Sequence, residues 1–283
     1  MDIICNFENN TQNNGSEFGH VVHVIGWVAF SLSIPVIFLA IYLLYCLICA
    51  DHIAPIFIIN LLISDLLQMC VLPVMFQGYC HIVVLLVYYY SLTTSVGFMV
   101  CIALERYLVV AFPLWYRFQH NIKNSLIVSS IIWLFSFVKI SILSFMPYEA
   151  RLILNSVLNL IPLPLLIFFL VGTLRALSGS ISLTVLEKRR IIGTLALVLG
   201  IYCLLFLPIV IQDLLIAVRS PVKSHLGLFL VLFNPFLDPL LYVFMQKGAN
   251  DILRACPCLD RLLPGGHNLT QTPTSVTDNP TSL

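Results

Sequence analysis

Six ionisable side chains lie within or beside long apolar stretches of the sequence, and their types and spacing suit chemistry. They are Asp65, Glu105, Arg106, Lys139, Asp213 and Asp238. A charged group in hydrocarbon is costly, and it is usually found where it faces a polar cavity or a partner. Each of these residues is therefore a candidate for function.

Glu105 and Arg106 are adjacent and form the most specific of these groups. An arginine does not lose its charge, so at the end of an apolar helix Arg106 needs a carboxylate such as Glu105 or a water-filled cleft. The alternative is an arginine whose guanidinium simply reaches the membrane surface.

Lys139 lies deep in an apolar stretch that ends near Pro147. At ~1.5 Å per residue it is about 12 Å from that end, which is more than a lysine stem spans. We therefore expect its ammonium to face the inside of the protein or a watery cavity, where it would suit an anionic ligand. The alternative is partial extension toward the surface with local water.

Seven long apolar stretches must position these residues. A helix needs about 20 apolar residues to cross a hydrocarbon layer of ~30 Å, and its backbone must satisfy its own hydrogen bonds there. The sequence predicts spans 1 to 7 at residues 22–48, 54–76, 81–111, 125–146, 152–174, 189–218 and 225–246. The predicted fold class is an all-α membrane protein, a seven-transmembrane helix bundle with a short amphipathic helix after span 7.

The composition agrees with residence in a membrane. Hydrophobic residues make up 60% of the 283 residues and charged residues only 10%, against about 25% charged in soluble domains. A net charge of +1 without a basic stripe gives no support to nucleic-acid binding. The first 20 residues lack the pattern of a cleavable leader, so span 1 is expected to direct insertion.

The distribution of Lys and Arg predicts the orientation, because cytoplasmic loops are enriched in basic residues. One side of the predicted bundle carries Arg106, Arg117, Lys123, Arg175, Lys188, Arg189, Arg190, Lys247, Arg254 and Arg261. The other side carries Arg151, Arg219 and Lys223. We expect a multi-pass plasma-membrane protein with an extracellular N-terminus.

Four segments follow from this topology. They are an extracellular N-tail at 1–21, the membrane domain at 22–246, a membrane-surface amphipathic helix at 247–258 and a disordered cytoplasmic tail at 259–283. Asn9 and Asn14 begin glycosylation sequons, and Cys256 and Cys258 are candidate palmitoylation sites, with unmodified thiols as the alternative. The Ser/Thr-rich tail could be phosphorylated, and its last residues could bind a domain that captures C-terminal carboxylates.

Five motifs occur in the order of one known family. Span 2 reads NLLISDLL with Asp65, span 3 ends in Glu105-Arg106-Tyr107, span 4 carries Trp133, span 6 contains Phe206 and Pro208, and span 7 reads NPFLDPLLYVF. Together they resemble the rhodopsin-like (class A) G-protein-coupled receptors, whose signatures include a D/E-R-Y triplet and an N/D-P-x-x-Y motif. The resemblance extends from residue 22 to about residue 256.

The resemblance implies G-protein activation. Arg106 would be held at rest by its acidic neighbour and would meet the Gα subunit when span 6 swings outward. The implied coupling and activation residues are Glu105, Arg106, Tyr107, Phe206, Pro208, Pro239 and Tyr242. For the two prolines the alternative is a static kink. The implied partners are a heterotrimeric G protein, receptor kinases and arrestin.

The resemblance also implies a sodium and water network of Asp65, Ser95, Asn234 and Asp238. Two carboxylates in one cavity do not both ionise easily, so one would stay protonated unless a sodium ion lies between them. No other metal or cofactor is expected.

The signal is predicted to be protons or a small anionic or lipid-like ligand. The chain looks broadly similar to the receptors for nucleotides, lysolipids and protons. If it has the family's geometry, the resemblance implies a ligand pocket lined by Tyr88, Tyr89, Leu92, Lys139, Ile209, Asp213 and Leu228. His20, His23, His81 and His225 lie at the predicted outer rim. Because an imidazole titrates near pH ~6.5, they are candidate proton sensors, with solvated side chains as the alternative.

Departures from the family pattern leave a second interpretation open. Ile37 stands where the family usually has asparagine, span 5 lacks a tyrosine near its inner end, and no cysteine follows span 4 to pair with Cys80. A bridge between Cys5 and Cys80 is the remaining candidate disulfide. The alternative function is a receptor-like protein that binds a ligand or partners without activating G proteins.

Other classes of membrane protein have less support. Span 7 has no lysine for a retinal Schiff base before Lys247, the two halves show no repeat typical of transporters, and no histidine lies deep in a span to serve a hydrolase. The sequence does not predict an enzyme.

Overall fold

The structure is a computed structural model that describes residues 16–49, 55–76, 82–114, 116, 122–179, 184–218 and 226–245. Several predictions lie outside this part of the chain: those on Cys5, Asn9, Asn14, Cys80, His81, His225, Cys256 and Cys258, on the segments 247–258 and 259–283, and on the side chains of His20 and Tyr242.

The described residues form α-helices that correspond to the predicted spans. Their bounds are Ser16–Cys49 for span 1, Ile56–Phe76 for span 2, Ile82–Ala111 for span 3, Ile122–Phe145 for span 4, Tyr148–Leu160 and Pro162–Gly179 for span 5, Val185–Ala217 for span 6, and Leu226–Val231 and Asn234–Met245 for span 7. Spans 1 to 6 are each long and apolar enough to cross a membrane. The predicted all-α, multi-span fold is confirmed.

Two spans are broken because of proline. Proline lacks an N–H, and its ring clashes with the carbonyl four residues earlier. The first helix of span 5 ends at Leu160, just before Pro162. The first helix of span 7 ends at Val231, four residues before Pro235, which then occupies the first turn of the second helix. Pro208, in contrast, lies inside the continuous helix of span 6.

Span 6 begins at Val185, earlier than the predicted residue 189, because of a capping box. The Glu187 N–H donates to Thr184 Oγ1 at 3.3 Å, and the Thr184 N–H donates to Glu187 Oε2 at 3.0 Å. These contacts satisfy backbone donors that would otherwise be unpaired at the start of the helix. The extra turn places Lys188 and its basic neighbours on the helix itself.

Span 5 also begins earlier than predicted, at Tyr148 and not at residue 152. Only Met146 and Pro147 separate it from the end of the span 4 helix at Phe145. The connection between spans 4 and 5 is therefore too short to cover the end of the bundle, and Arg151 lies on a helix.

The spans close into a ring around span 3. Each span contacts the next, span 7 returns to pack on spans 1 and 2, and span 3 contacts spans 2, 4, 5 and 6. Ile37, which stands where the family usually has asparagine, is fully buried in the apolar core. We call the end where span 1 begins the outer end, and the end that holds Arg106 the inner end.

Trp133 links spans 2 and 4 through hydrogen bonds as well as packing. Its indole Nε1 donates to Asn60 Oδ1 at 2.9 Å, and Asn60 Nδ2 donates to the Ile56 carbonyl at 2.8 Å. A buried indole N–H needs such a partner. This bond joins span 2 to the helix of span 4 that also carries Lys139.

Candidate functional site

The inner end of the bundle holds an ion pair on span 3. Arg106 Nη2 lies 2.8 Å from Glu105 Oε1, and the two side chains are 25% and 14% exposed. The Tyr116 hydroxyl donates to the same carboxylate, and burial together with Glu105 raises the pKa of Tyr116 above its usual value. Arg106 Nε is buried without a hydrogen-bond partner. Glu105 thus pairs with one nitrogen of the guanidinium, and the Nε donor has no partner.

Tyr107 of span 3 packs against span 5. Its ring stacks on Phe169 at 5.6 Å between centroids and meets Phe168 edge-on at 5.7 Å. A Cβ atom placed on Gly172 would lie 2.6 Å from Tyr107 Cε2. The absence of a side chain at Gly172 therefore lets an aromatic ring from span 3 occupy the surface of span 5 near its inner end.

The middle of the bundle brings Asp65, Ser95, Asn234 and Asp238 together. Ser95 Oγ donates to Asp238 Oδ2 at 2.7 Å, and Asn234 Nδ2 donates to both Ser95 Oγ and Asp238 Oδ2 at 3.0 Å. The Asp65 carboxyl interacts directly with that of Asp238. Four residues from spans 2, 3 and 7 thus form one fully buried polar network.

This network has more acceptors than donors. Asp65 Oδ2, Asn234 Oδ1 and Asp238 Oδ1 are buried and have no hydrogen-bond partner in the structure. A buried polar atom without a partner costs about 1–3 kcal/mol. Gln68, which the sequence analysis missed, donates to Asp65 Oδ1 at 3.5 Å. Because Gln68 follows Asp65 by three residues on one helix, a contact between the two side chains could have been predicted from the sequence.

The outer end contains a cavity of about 80 Å³ between spans 3, 4, 5 and 6. Its polar lining comes from Tyr89, Thr93, Ser144, Arg151, Asn155, Asn159 and Asp213, and its apolar lining from Leu92, Val96, Ile140, Leu143, Leu152, Phe206 and Ile209. Tyr89, Leu92, Ile209 and Asp213 were predicted here. The structure places Tyr88, Lys139 and Leu228 in buried positions outside this lining.

A chain of side-chain hydrogen bonds connects Lys139 to Asp213 across spans 4, 5 and 6. Lys139 Nζ donates to Asn159 Oδ1 at 2.6 Å, and Asn159 Nδ2 donates to Asn155 Oδ1 at 3.2 Å. Asn155 Nδ2 in turn donates to Asp213 Oδ2 at 3.1 Å. The two asparagines were missed from the sequence, although their spacing of four residues puts them on one helix face. The Lys139 ammonium faces the bundle.

Phe206 lies between this cavity and the segment of span 6 that contains Pro208. Its ring lines the cavity and stacks on Tyr202, with 5.4 Å between centroids and 14° between planes. The Tyr202 hydroxyl donates to the backbone carbonyl of Asn159. Pro208 follows two residues after Phe206 on the same helix. Phe206 is thus both a wall of the cavity and a neighbour of Pro208 on span 6.

His23 is the one candidate proton sensor whose side chain lies in the described part of the chain. It is exposed on span 1 and accepts a hydrogen bond from Trp27 Nε1 at 3.1 Å. The rings of the two residues meet edge-on at 6.1 Å.

Residues 39–150, which run from the last third of span 1 through span 4 to the first residues of span 5, match the family described as 7 transmembrane receptor (rhodopsin family). G-protein coupled receptor 68 from Bos taurus is 26% identical over 293 aligned positions, covering 84% of this chain and 79% of that relative. Human G-protein coupled receptor 20 is 27% identical over 237 positions, covering 76% of this chain and 66% of that relative.

Proposed function

We propose that this chain, which is similar to receptors of the rhodopsin family, is a G-protein-coupled receptor that receives protons or a small anionic or lipid-like ligand at its outer end and activates a heterotrimeric G protein through outward movement of span 6. The matched family is one of receptors and not of enzymes. The observation that carries this proposal is the position of Phe206, which lines the outer cavity and lies two residues before Pro208 in span 6.

A ligand at the outer end would move span 6 through the stacked rings of Phe206 and Tyr202. A ligand that displaces the Phe206 ring also moves Tyr202, because the two rings are stacked and nearly parallel. The missing backbone hydrogen bond at Pro208 makes that part of the helix easier to bend. A small displacement at the cavity is thus converted into a larger displacement of the inner end of span 6, and Pro239 gives span 7 a comparable bend.

The inner end would present Arg106 to the G protein. At rest Glu105 neutralises the guanidinium, and Tyr116 helps to hold the carboxylate. When span 6 moves away, a cleft opens beside Arg106, and its donors become available to carbonyl and carboxylate groups of the Gα subunit. A ligand shifts this equilibrium only by its difference in affinity for the two states.

Sodium fits the buried network in the middle of the bundle. Two carboxyl groups supply negative charge, and Asp65 Oδ2, Asn234 Oδ1 and Asp238 Oδ1 are oxygen acceptors without a partner. A bound sodium ion would balance the charge of both carboxylates. Without a cation, a proton shared by Asp65 and Asp238 would do so, because two carboxylates in contact do not both ionise at low cost. The same pair is therefore a second route by which acid could act.

Sodium should stabilise the parent protein against heat. Replacing an organic cation by sodium at about ten times its dissociation constant adds roughly 1.4 kcal/mol to the stability of the folded state, which corresponds to a rise of a few degrees in Tm. Asp65→Asn should abolish the rise, whereas Asp213→Asn, which removes a buried carboxylate outside the network, should keep it. A rise of equal size in Asp65→Asn would rule out a sodium site at these residues.

Nucleotide exchange in cells tests the proposed function directly. The full chain is expressed with several Gα subtypes, and exchange is recorded while the external pH is stepped from 8 to 6. Acid activation that is lost without His20, His23, His81 and His225 assigns sensing to the rim, and loss in Asp238→Asn assigns it to the carboxyl pair. A chain that reaches the surface but drives exchange on no Gα subtype would instead be a receptor-like binding protein.

The topology and partners complete the proposal. The excess of basic residues at the inner end supports an extracellular N-terminus in the plasma membrane. The Ser/Thr-rich tail would be the site at which receptor kinases and arrestin act, and its last residues would suit a domain that binds C-terminal carboxylates.

A further inference from the structure

We propose that Arg151 is the anion-binding residue of the outer cavity. The ligand is then a small organic oxyanion that also carries a neighbouring hydrogen-bond donor, and this group donates to Asp213. This inference rests on the proposed function, because it names the ligand class of the same cavity. It also assigns different roles to the two cations of this region: ligand binding to the partly buried Arg151 and a structural role to the buried Lys139.

Lys139 already has a partner. Its Nζ atom lies 2.6 Å from Asn159 Oδ1, its side chain is only 6% exposed, and it does not line the cavity. Its positive charge is balanced through the two asparagines by Asp213. An anion would have to break this chain of hydrogen bonds to reach the ammonium group.

Arg151, in contrast, is placed to receive an anion. It lines the cavity near the start of span 5, and its guanidinium carbon lies 5.8 Å from the centroid of the Tyr148 ring, which orients it. Its Nε atom is buried and has no hydrogen-bond partner. An arginine presents its donors as a planar fork that matches a carboxylate or phosphate. An oxyanion in the cavity would accept hydrogen bonds from the guanidinium of Arg151, which lines it.

The charges around the cavity favour a single negative charge on the ligand. Arg151 and Lys139 are cations and Asp213 is an anion, so the group as a whole has an excess of one positive charge. Asn155 donates to Asp213 Oδ2, which leaves Oδ1 as an acceptor on a residue that lines the cavity. A hydroxyl or amine on the ligand would donate to this oxygen while the oxyanion pairs with Arg151.

The cavity volume limits the part of the ligand that can be enclosed. About 80 Å³ of space for water-sized groups compares with the ~10–15 Å³ of such space that one water molecule needs. The enclosed part of the ligand is therefore the size of several water molecules. It is either a whole small acid or the polar end of a larger molecule.

Three probe molecules separate the features of this ligand class. Glycolate carries a carboxylate and a hydroxyl, acetate only the carboxylate, and ethylene glycol only hydroxyls. Each is titrated at constant ionic strength into the purified full-length receptor, and the dissociation constant is obtained from the ligand-dependent rise in Tm. Methyl phosphate in place of glycolate distinguishes a phosphate headgroup from a carboxylate, and binding of either agrees with the proposal.

The parent is expected to bind glycolate about tenfold more tightly than acetate and to show no effect of ethylene glycol. Arg151→Gln should weaken binding of both anions by about tenfold or more. Lys139→Gln is the matched control, because it removes one positive charge behind the cavity while keeping a donor toward Asn159, and it should weaken anion binding clearly less than Arg151→Gln does. Arg151→Lys keeps a cation at the site, and its affinities for both anions should lie between those of the parent and of Arg151→Gln. This variant tests the proposal if Arg151→Gln folds poorly.

Two results would overturn the proposal. One is unchanged anion affinity in both Arg151 variants, or a loss confined to Lys139→Gln. The other is a parent that binds none of the anions although it still drives nucleotide exchange on Gα, which rejects the ligand class and leaves the receptor function intact. Failure of the proposed function is seen separately, as the absence of exchange with every Gα subtype.

Discussion

Replacing Arg106 with alanine is expected to reduce evoked nucleotide exchange on Gα by about 100-fold. The guanidinium makes an ion pair with Glu105 at 2.8 Å and keeps a buried Nε without a partner, so it holds unused donor capacity at the inner end. Hydrogen bonds to a charged group contribute about 1.5–3 kcal/mol each, and the larger of these values corresponds to a factor of about 100. Exchange is measured in membranes at matched surface expression.

Arg175→Ala is the matched control for this variant. Arg175 is an exposed basic residue near the inner end of span 5, so its loss removes the same charge without touching the ion pair. Its exchange rate should stay within about twofold of the parent. An Arg106→Ala variant that signals like Arg175→Ala would remove Arg106 from the coupling mechanism.

Glu105→Gln tests the same ion pair from the other side. It removes the charge that holds Arg106 at rest while keeping the size of the side chain. Because the pair is partly exposed, its contribution is about 1 kcal/mol, and exchange without ligand should rise about fivefold. Unchanged or lower basal exchange would show that Glu105 does not restrain Arg106.

Gly227→Ala is expected to cause the largest loss of stability. A Cβ atom at this position would lie 2.6 Å from both the Cα and the N of Ile209 and 2.9 Å from the Pro208 carbonyl carbon. These are backbone atoms of span 6 at Pro208 and Ile209, and they cannot rotate away as a side chain would. Overpacking of this kind typically costs about 1–3 kcal/mol, so Tm of the purified protein should fall by several degrees.

Gly200→Ala provides the comparison on span 6 itself. Nothing lies within 4 Å of a Cβ atom there, and alanine in a helix is favoured over glycine by up to about 1 kcal/mol. Its Tm should be equal to or higher than that of the parent. If Gly227→Ala were as stable as Gly200→Ala, spans 6 and 7 would not approach as closely as the structure shows.

The sequence was most informative where a property depends on a single segment. Long apolar runs predict helices in lipid, because the backbone has no other way to satisfy its hydrogen bonds, and the all-α fold followed from them. The Glu105–Arg106 pair could be anticipated because the two residues are neighbours. The helix ends were less accurate: the capping box at Thr184 and Glu187 is a local signal that was present in the sequence and was overlooked.

The gathering of Asp65, Ser95, Asn234 and Asp238 was anticipated in a different way. Nothing in the spacing of these residues shows that spans 2, 3 and 7 meet at one depth, and their proximity came from the resemblance to the receptor family. The structure adds the hydrogen bonds between them and the acceptors left without partners.

What the sequence alone determined, then, is that the chain crosses the membrane repeatedly and that a few charged groups inside it must face one another. Only the tertiary structure decided which of them meet: Asn155 and Asn159 connect Lys139 to Asp213, Arg151 reaches the cavity, and Gly227 touches the Pro208 bend. The reason is physical. A helix that is apolar on all sides does not reveal from its sequence how it is rotated about its axis, and that rotation determines every contact between spans.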